Sequence, residues 1–145
     1  MTVYNTTKAG VTPKWLPDSG GCTVFATYTF GTSSLPTLTS GDTFVGPTIP
    51  AGVTVTEVLL DVDKLDGGGS PAIVLKVGDA TTANRYINAS TVGQAGGYQV
   101  PNINGATGYV PAANAPVIIT VSTTANGAVP ASANVRLLVS YSADV

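Results

Sequence analysis

The residues able to do chemistry are few, and the acidic ones are the most concentrated. Asp61-Val62-Asp63, followed by Asp66 and Gly67, is the one acidic cluster in the sequence. An Asp-x-Asp strand end sets two carboxylates on one face, and a Ca²⁺ site wants several hard oxygen ligands converging in one loop. The spacing departs from an EF-hand loop, because Leu65 stands at the fifth position and Asp66 where glycine is required. The expectation is a solvated strand end and hairpin at Asp61, Asp63 and Asp66, with no bound cation. Glu57 is the sole glutamate and shares a strand face with Asp61. At i, i+4 along a strand the two stand ~13 Å apart, beyond the ~5–9.5 Å usual between catalytic carboxyls.

Nucleophiles fare no better. Cys22 is the single cysteine and the sequence has no histidine, so the thiol lacks the partner that would activate it. The same absence removes Ser-His-Asp triads and His-containing zinc sites, and one cysteine forms no intrachain disulfide and no CxxC motif. Gly67-Gly68-Gly69 is followed by neither lysine nor helix, so no phosphate loop is expected. Asn5-Thr6-Thr7 and Asn88-Ala89-Ser90 match the glycosylation pattern, but that pattern needs a secretory route. The reading is a protein that is not an enzyme and uses no cofactor.

Charge narrows the partners. The 145 residues hold 6 Lys+Arg against 8 Asp+Glu, and charged residues make up 10%, well under the ~25% of an ordinary soluble domain. Lys8, Lys14, Lys64, Lys76, Arg85 and Arg136 are scattered singly, so no basic stripe tracks a phosphate backbone and no nucleic acid is expected. The apolar runs, such as Ala115-Pro116-Val117-Ile118-Ile119, fall short of the ~18 residues of a membrane span. The opening MTVYNTTKAG has no apolar core after a basic start, so no export signal is expected. A surface so poor in charge suits a protein that works assembled.

The elements follow from periodicity. No window shows apolar residues at i, i+3, i+4 and i+7; short alternating runs bounded by Gly, Pro, Asn and Ser occur instead. Residues 22–30, 43–45, 53–63, 72–77, 85–90, 116–123 and 134–142 read as strands. Val135, Leu137, Val139 and Tyr141 face the core in the last of them. The stretch 92–114 is long for a loop and reads as a contact loop or an unrecognised strand. The fold class is therefore all-β, an antiparallel β-sandwich or jelly roll of about seven or eight strands. Residues 1–20, with Pro13 and Pro17, read as an extended N-terminal arm preceding a single domain at 21–145.

Four segments resemble a known family. Ser40-Gly41-Asp42-Thr43, then Ile49-Pro50-Ala51-Gly52-Val53 with its Val/Leu strand, and Ile73-Val74-Leu75-Lys76-Val77-Gly78 look like the jelly-roll capsid cement (decoration) proteins of tailed bacteriophages. The closing Val135-Arg136-Leu137-Leu138-Val139-Ser140-Tyr141 strand is similar to theirs, and the resemblance runs over about residues 20–142. The triple-glycine hairpin and the acidic 61–66 run depart from the pattern. The resemblance implies a non-enzymatic protein on the outer surface of a virion head, bound to the major capsid protein and commonly a symmetric oligomer.

Candidate contacts follow from residue type and face. Trp15, with Tyr4 and Leu16, sits in the arm, and such aromatics dominate interface hot spots, so the arm is expected to anchor on another chain. Ile118 and Leu138 fall opposite their strands' core residues, and exposed apolar clusters mark contacts, here those of a homo-oligomer, a trimer by expectation. Tyr98 and Tyr109 in the Gly/Asn-rich loop are further candidate contacts. They also carry the alternative, a receptor- or carbohydrate-binding β-sandwich of a phage fibre or tail.

Overall fold

Alternation in sequence becomes alternation in burial. In the closing strand Val135, Leu137, Val139 and Tyr141 are buried while Arg136, Leu138 and Ser140 are half-exposed. The computed structural model describes residues 1–12 and 21–143. Among these, nine strands form: β1 (Val3–Asn5), β2 (Gly21–Thr29), β3 (Thr43–Ile49), β4 (Val53–Val62), β5 (Val74–Gly78), β6 (Ile87–Ser90), β7 (Gly97–Gln99), β8 (Ala115–Thr123) and β9 (Asn134–Ala143). A single 3₁₀ turn, Val92–Gln94, is the only helical piece among the described residues.

The strands make two sheets, ordered β1-β3-β8-β5-β6 and β2-β9-β4-β7. All pairings are antiparallel except β1 with β3. The inward residues of both sheets form one core, with Val58, Leu60, Leu137 and Val139 of one sheet and Phe44, Leu75, Ile119 and Val121 of the other. Burial of that apolar surface, at ~25 cal/mol per Å², is the main stabilising term. The all-β sandwich expectation holds, with β1 and β7 added to the strands read from sequence.

Two local expectations are corrected. The first concerns the arm, whose described part is tied into the body. Val3–Asn5 pairs with β3, and Tyr4 stacks on Phe44 with ring centroids 4.8 Å apart. Pairing between β3 and β8 skips Gly46 and Pro47. A Cβ on Gly46 would meet Leu137 Cδ2 at 2.6 Å and the Val117 carbonyl oxygen at 3.0 Å, so any larger residue would have to displace the core there. The arm serves the irregular edge: Gly10 N–H donates to the Gly46 carbonyl at 3.0 Å, and Thr48 N–H donates to the Val11 carbonyl at 2.9 Å. On its other side Thr7 N–H donates to the Thr27 carbonyl of β2 at 2.9 Å. Residues 6–11 thus bridge one sheet to the other, a role invisible to a search for alternation.

The second correction concerns Asp66-Gly69, which is no hairpin between paired strands. β4 and β5 belong to different sheets, so the connection crosses the sandwich. Asp66 is fully buried within it. Residues 92–114, read as a contact loop or an unrecognised strand, hold the 3₁₀ turn and β7. β7 is three residues long and contains a glycine, too short to show a period.

Candidate functional site

The outer face of the β2-β9-β4-β7 sheet carries side chains in cross-strand rows. Phe25 pairs with Leu138, and Leu138 pairs with Leu59, giving one apolar row across three strands. Phe25 is 57% exposed, and Leu138 and Leu59 are half-buried. Neighbours directly opposite on an antiparallel pair lie ~4.5–5.5 Å apart at Cβ, so the three make a continuous surface.

Polar rows flank it. On one side Thr23 Oγ1 and Ser140 Oγ hydrogen-bond at 2.9 Å, with Glu57 in register beyond. On the other, Thr27, Arg136 and Asp61 align, and Tyr98 of β7 stands opposite Asp61 with 71% exposure. Arg136 Nε donates to Asp61 Oδ2 at 2.7 Å and its Nη2 donates to Asp63 Oδ1 at 2.9 Å. The Arg136 bond holds the Asp63 carboxyl below the ordinary range, against the opposing effect of burial; bonds from Asn134 lower it further. This sheet face thus has an apolar centre between two polar rows.

The acidic residues read as cation candidates are engaged within the fold. Asp61 and Asp63 hold Arg136. Asp66 accepts backbone N–H groups from Gly68, Ala72, Ile73, Asn126 and Gly127 at 2.8–3.2 Å. Among the described residues no group of three or more His, Cys, Asp or Glu is placed to hold a metal. Cys22 is a partly buried free thiol opposite Tyr141 in the β2–β9 register.

The other candidate contacts are dispersed. Tyr4 meets Tyr28 and Phe30 edge-on at 5.2 and 5.6 Å as well as stacking on Phe44, so its ring belongs to the chain's own core. Ile118 lies in the other sheet, half-buried between Val45 and Gly78, so the structure does not bring it to Leu138. Tyr109 is half-buried against Tyr86 and beneath Arg85, while its carbonyl accepts the Val55 N–H. Tyr98 stands beside Asp61, about 20 Å along β4 from Val55 at ~3.3 Å per residue, so the two tyrosines do not share a site. Trp15 and Leu16 lie outside the described residues. Phe25, by contrast, is absent from the candidates read in the sequence, although its place opposite Val24 and Ala26 in the alternation marks it as outward.

Comparison of the whole fold adds the decisive observation. A chain of the capsid of Ralstonia phage GP4 superposes with a TM-score of 0.77 at 26% identity, over 99% of both chains. A chain of the cyanophage Pam1 capsid asymmetric unit gives 0.70 at 28% identity over 95% of each. The chain is a structural homologue of phage capsid chains. Its two sheets are those of the jelly-roll type found in such capsids. A chain of the acid-stable capsid of the Helicobacter pylori bacteriophage KHP30 shares the fold, with a TM-score of 0.55 at 18% identity over 86% of this chain and 88% of that one. No protein-family profile and no curated protein sequence matches the chain.

Proposed function

We propose that this chain is a non-enzymatic structural protein of a bacteriophage virion that binds the outside of the head and cements neighbouring major capsid subunits. The observation that carries the reading is the end-to-end likeness to capsid chains of two phages at TM-scores of 0.77 and 0.70. The shared length leaves no room for a separate catalytic domain within the chain. The chemistry agrees, because Asp42, Asp61, Asp63, Asp66 and Asp79 serve hydrogen bonds or ion pairs within the fold.

The Phe25–Leu138–Leu59 row is the contact surface on this reading. Capsid shells repeat one surface many times, so each copy adds a contact at high effective concentration and modest individual contacts suffice. A homo-oligomer, a trimer by expectation, gives the same gain. Ile118 and Leu138 face opposite ways, so one contact buries only one of them. The test is sedimentation of the purified chain with heads that lack it, followed by heating. The chain pellets with heads and raises their disruption temperature if it cements them; a chain left in the supernatant contradicts the reading.

A further inference from the structure

A second surface feature stands at the end of the sandwich where β3 turns into β4. A cavity of about 300 Å³ opens there, with Asp79, Arg85, Tyr109 and Asn114 among its lining and Pro111 and Pro116 in its walls. The Arg85 guanidinium lies over the Tyr109 ring, 4.1 Å from the centroid. Its Nε donates to Asp79 Oδ2 and its Nη2 donates to Thr82 Oγ1 at 3.0 Å. Asp79 is itself fixed, accepting N–H groups from Thr81 and Thr82 at 2.9 and 2.7 Å. The Arg85 side chain is 21% exposed.

These contacts clamp the guanidinium and use only part of it. Of its five N–H donors, those on Nη1 have no acceptor among the described residues. Asn114, also on the cavity lining, accepts the Ala51 N–H through Oδ1, which leaves its amide donors unused among the described residues. A clamped guanidinium with a free edge matches a carboxylate, and rigidity lowers the entropy lost per bond formed.

We infer that the Arg85–Tyr109 cavity binds a carboxylate, with Arg85 Nη1 and the Asn114 amide as donors. The group comes either from an acidic side chain of a neighbouring protein chain or from a free small carboxylate. The first source rests on the cementing role proposed above; the cavity chemistry does not. No bond is made or broken in this binding.

Two arms test it on the full chain. In the first, acetate is titrated while the Arg85 side-chain and Tyr109 ring resonances are followed, with chloride as the control anion. Saturable shifts with acetate and not chloride are expected, weakened about tenfold in Arg85→Lys, which keeps a cation for Asp79 but loses the planar fork. Asn114→Ala, which leaves the clamp intact, weakens binding in the same direction. Absence of saturable shifts, or equal affinity in Arg85→Lys, overturns the inference. In the second arm, wild type and Arg85→Lys are sedimented with heads. Loss of the variant alone assigns the carboxylate to a neighbouring chain, and equal retention with acetate binding intact assigns it to a free carboxylate. If wild type itself fails to pellet, the cementing role fails while the first arm still decides the cavity.

Discussion

The Asp66 carboxylate accepts the backbone N–H of Gly127 at 2.9 Å across 61 residues of sequence. Four more backbone N–H groups converge on the same side chain, from its own loop and from the β8–β9 connection. Space there is tight, since a Cβ on Gly67 would lie 2.4 Å from the Ala128 carbonyl oxygen. One carboxylate thus closes one end of the sandwich by joining two loops that carry no apolar ladder of their own.

Replacing Asp66 with alanine leaves buried donors without an acceptor. Hydrogen bonds to a charged group contribute about 1.5–3 kcal/mol each and an orphaned buried donor costs ~1–3 kcal/mol. Asp66→Ala is therefore expected to destabilise the fold by roughly 3 kcal/mol or more. The midpoint of urea unfolding should fall with the slope unchanged; an unchanged midpoint contradicts the assignment.

Acid should act through the same residue. Burial pushes the Asp66 carboxyl up, but the N–H bonds from Ala72, Asn126, Gly68 and Ile73 outweigh it and hold the pKa at about 2, below the ordinary 3.8. The depressed value means that the ionised form stabilises the fold. Its contribution, roughly 2 kcal/mol, is complete above the unfolded-state value and is lost as pH falls from about 4 through about 2. Urea midpoints measured against pH should drop across that window, and the drop should be shallower in Asp66→Asn.

Removal of residues 1–12 should weaken the sandwich and not merely trim it. Thr2 N–H donates to Asp42 Oδ1 at 2.6 Å, and Asp42 is 2% exposed. The truncation also strips the Tyr4 ring from Phe44 and the Gly10 donor from Gly46. A melting temperature lower by several degrees is expected, in line with ~2 kcal/mol or more lost from a chain of this size. Equal melting of truncated and full chains would show the arm to be separable from the body.

Chelation should change nothing. Asp61, Asp63 and Asp66 are spent on Arg136 and on backbone donors, so EDTA is expected to leave the melting temperature unchanged. A fall that Ca²⁺ alone restores would contradict this.

Long strands were legible because burial on one face writes itself into sequence at period two. Val58, Leu60 and Val62 in β4, and Val135 through Tyr141 in β9, show it along ten-residue elements. β1 and β7 are three residues each, too short to carry a period. Asp66 was misread because an aspartate beside three glycines also describes a solvated turn, and only the fold brings Asn126 and Gly127 to it. The apolar row on the outer sheet face was half legible. Leu138 was read as outward-facing, whereas its union with Phe25 and Leu59 needed the β2-β9-β4 order. Tyr4 looked like an anchor because nothing in its neighbourhood of sequence announces Phe44.

The central claim is tested most directly by a cryo-EM map of the particle that carries this chain. The account predicts density for the sandwich on the outer surface of the head, across a seam between capsid subunits, with Phe25, Leu138 and Leu59 buried in that contact. Density confined to a tail or fibre, or a head-bound sandwich with that row facing solvent, would contradict it.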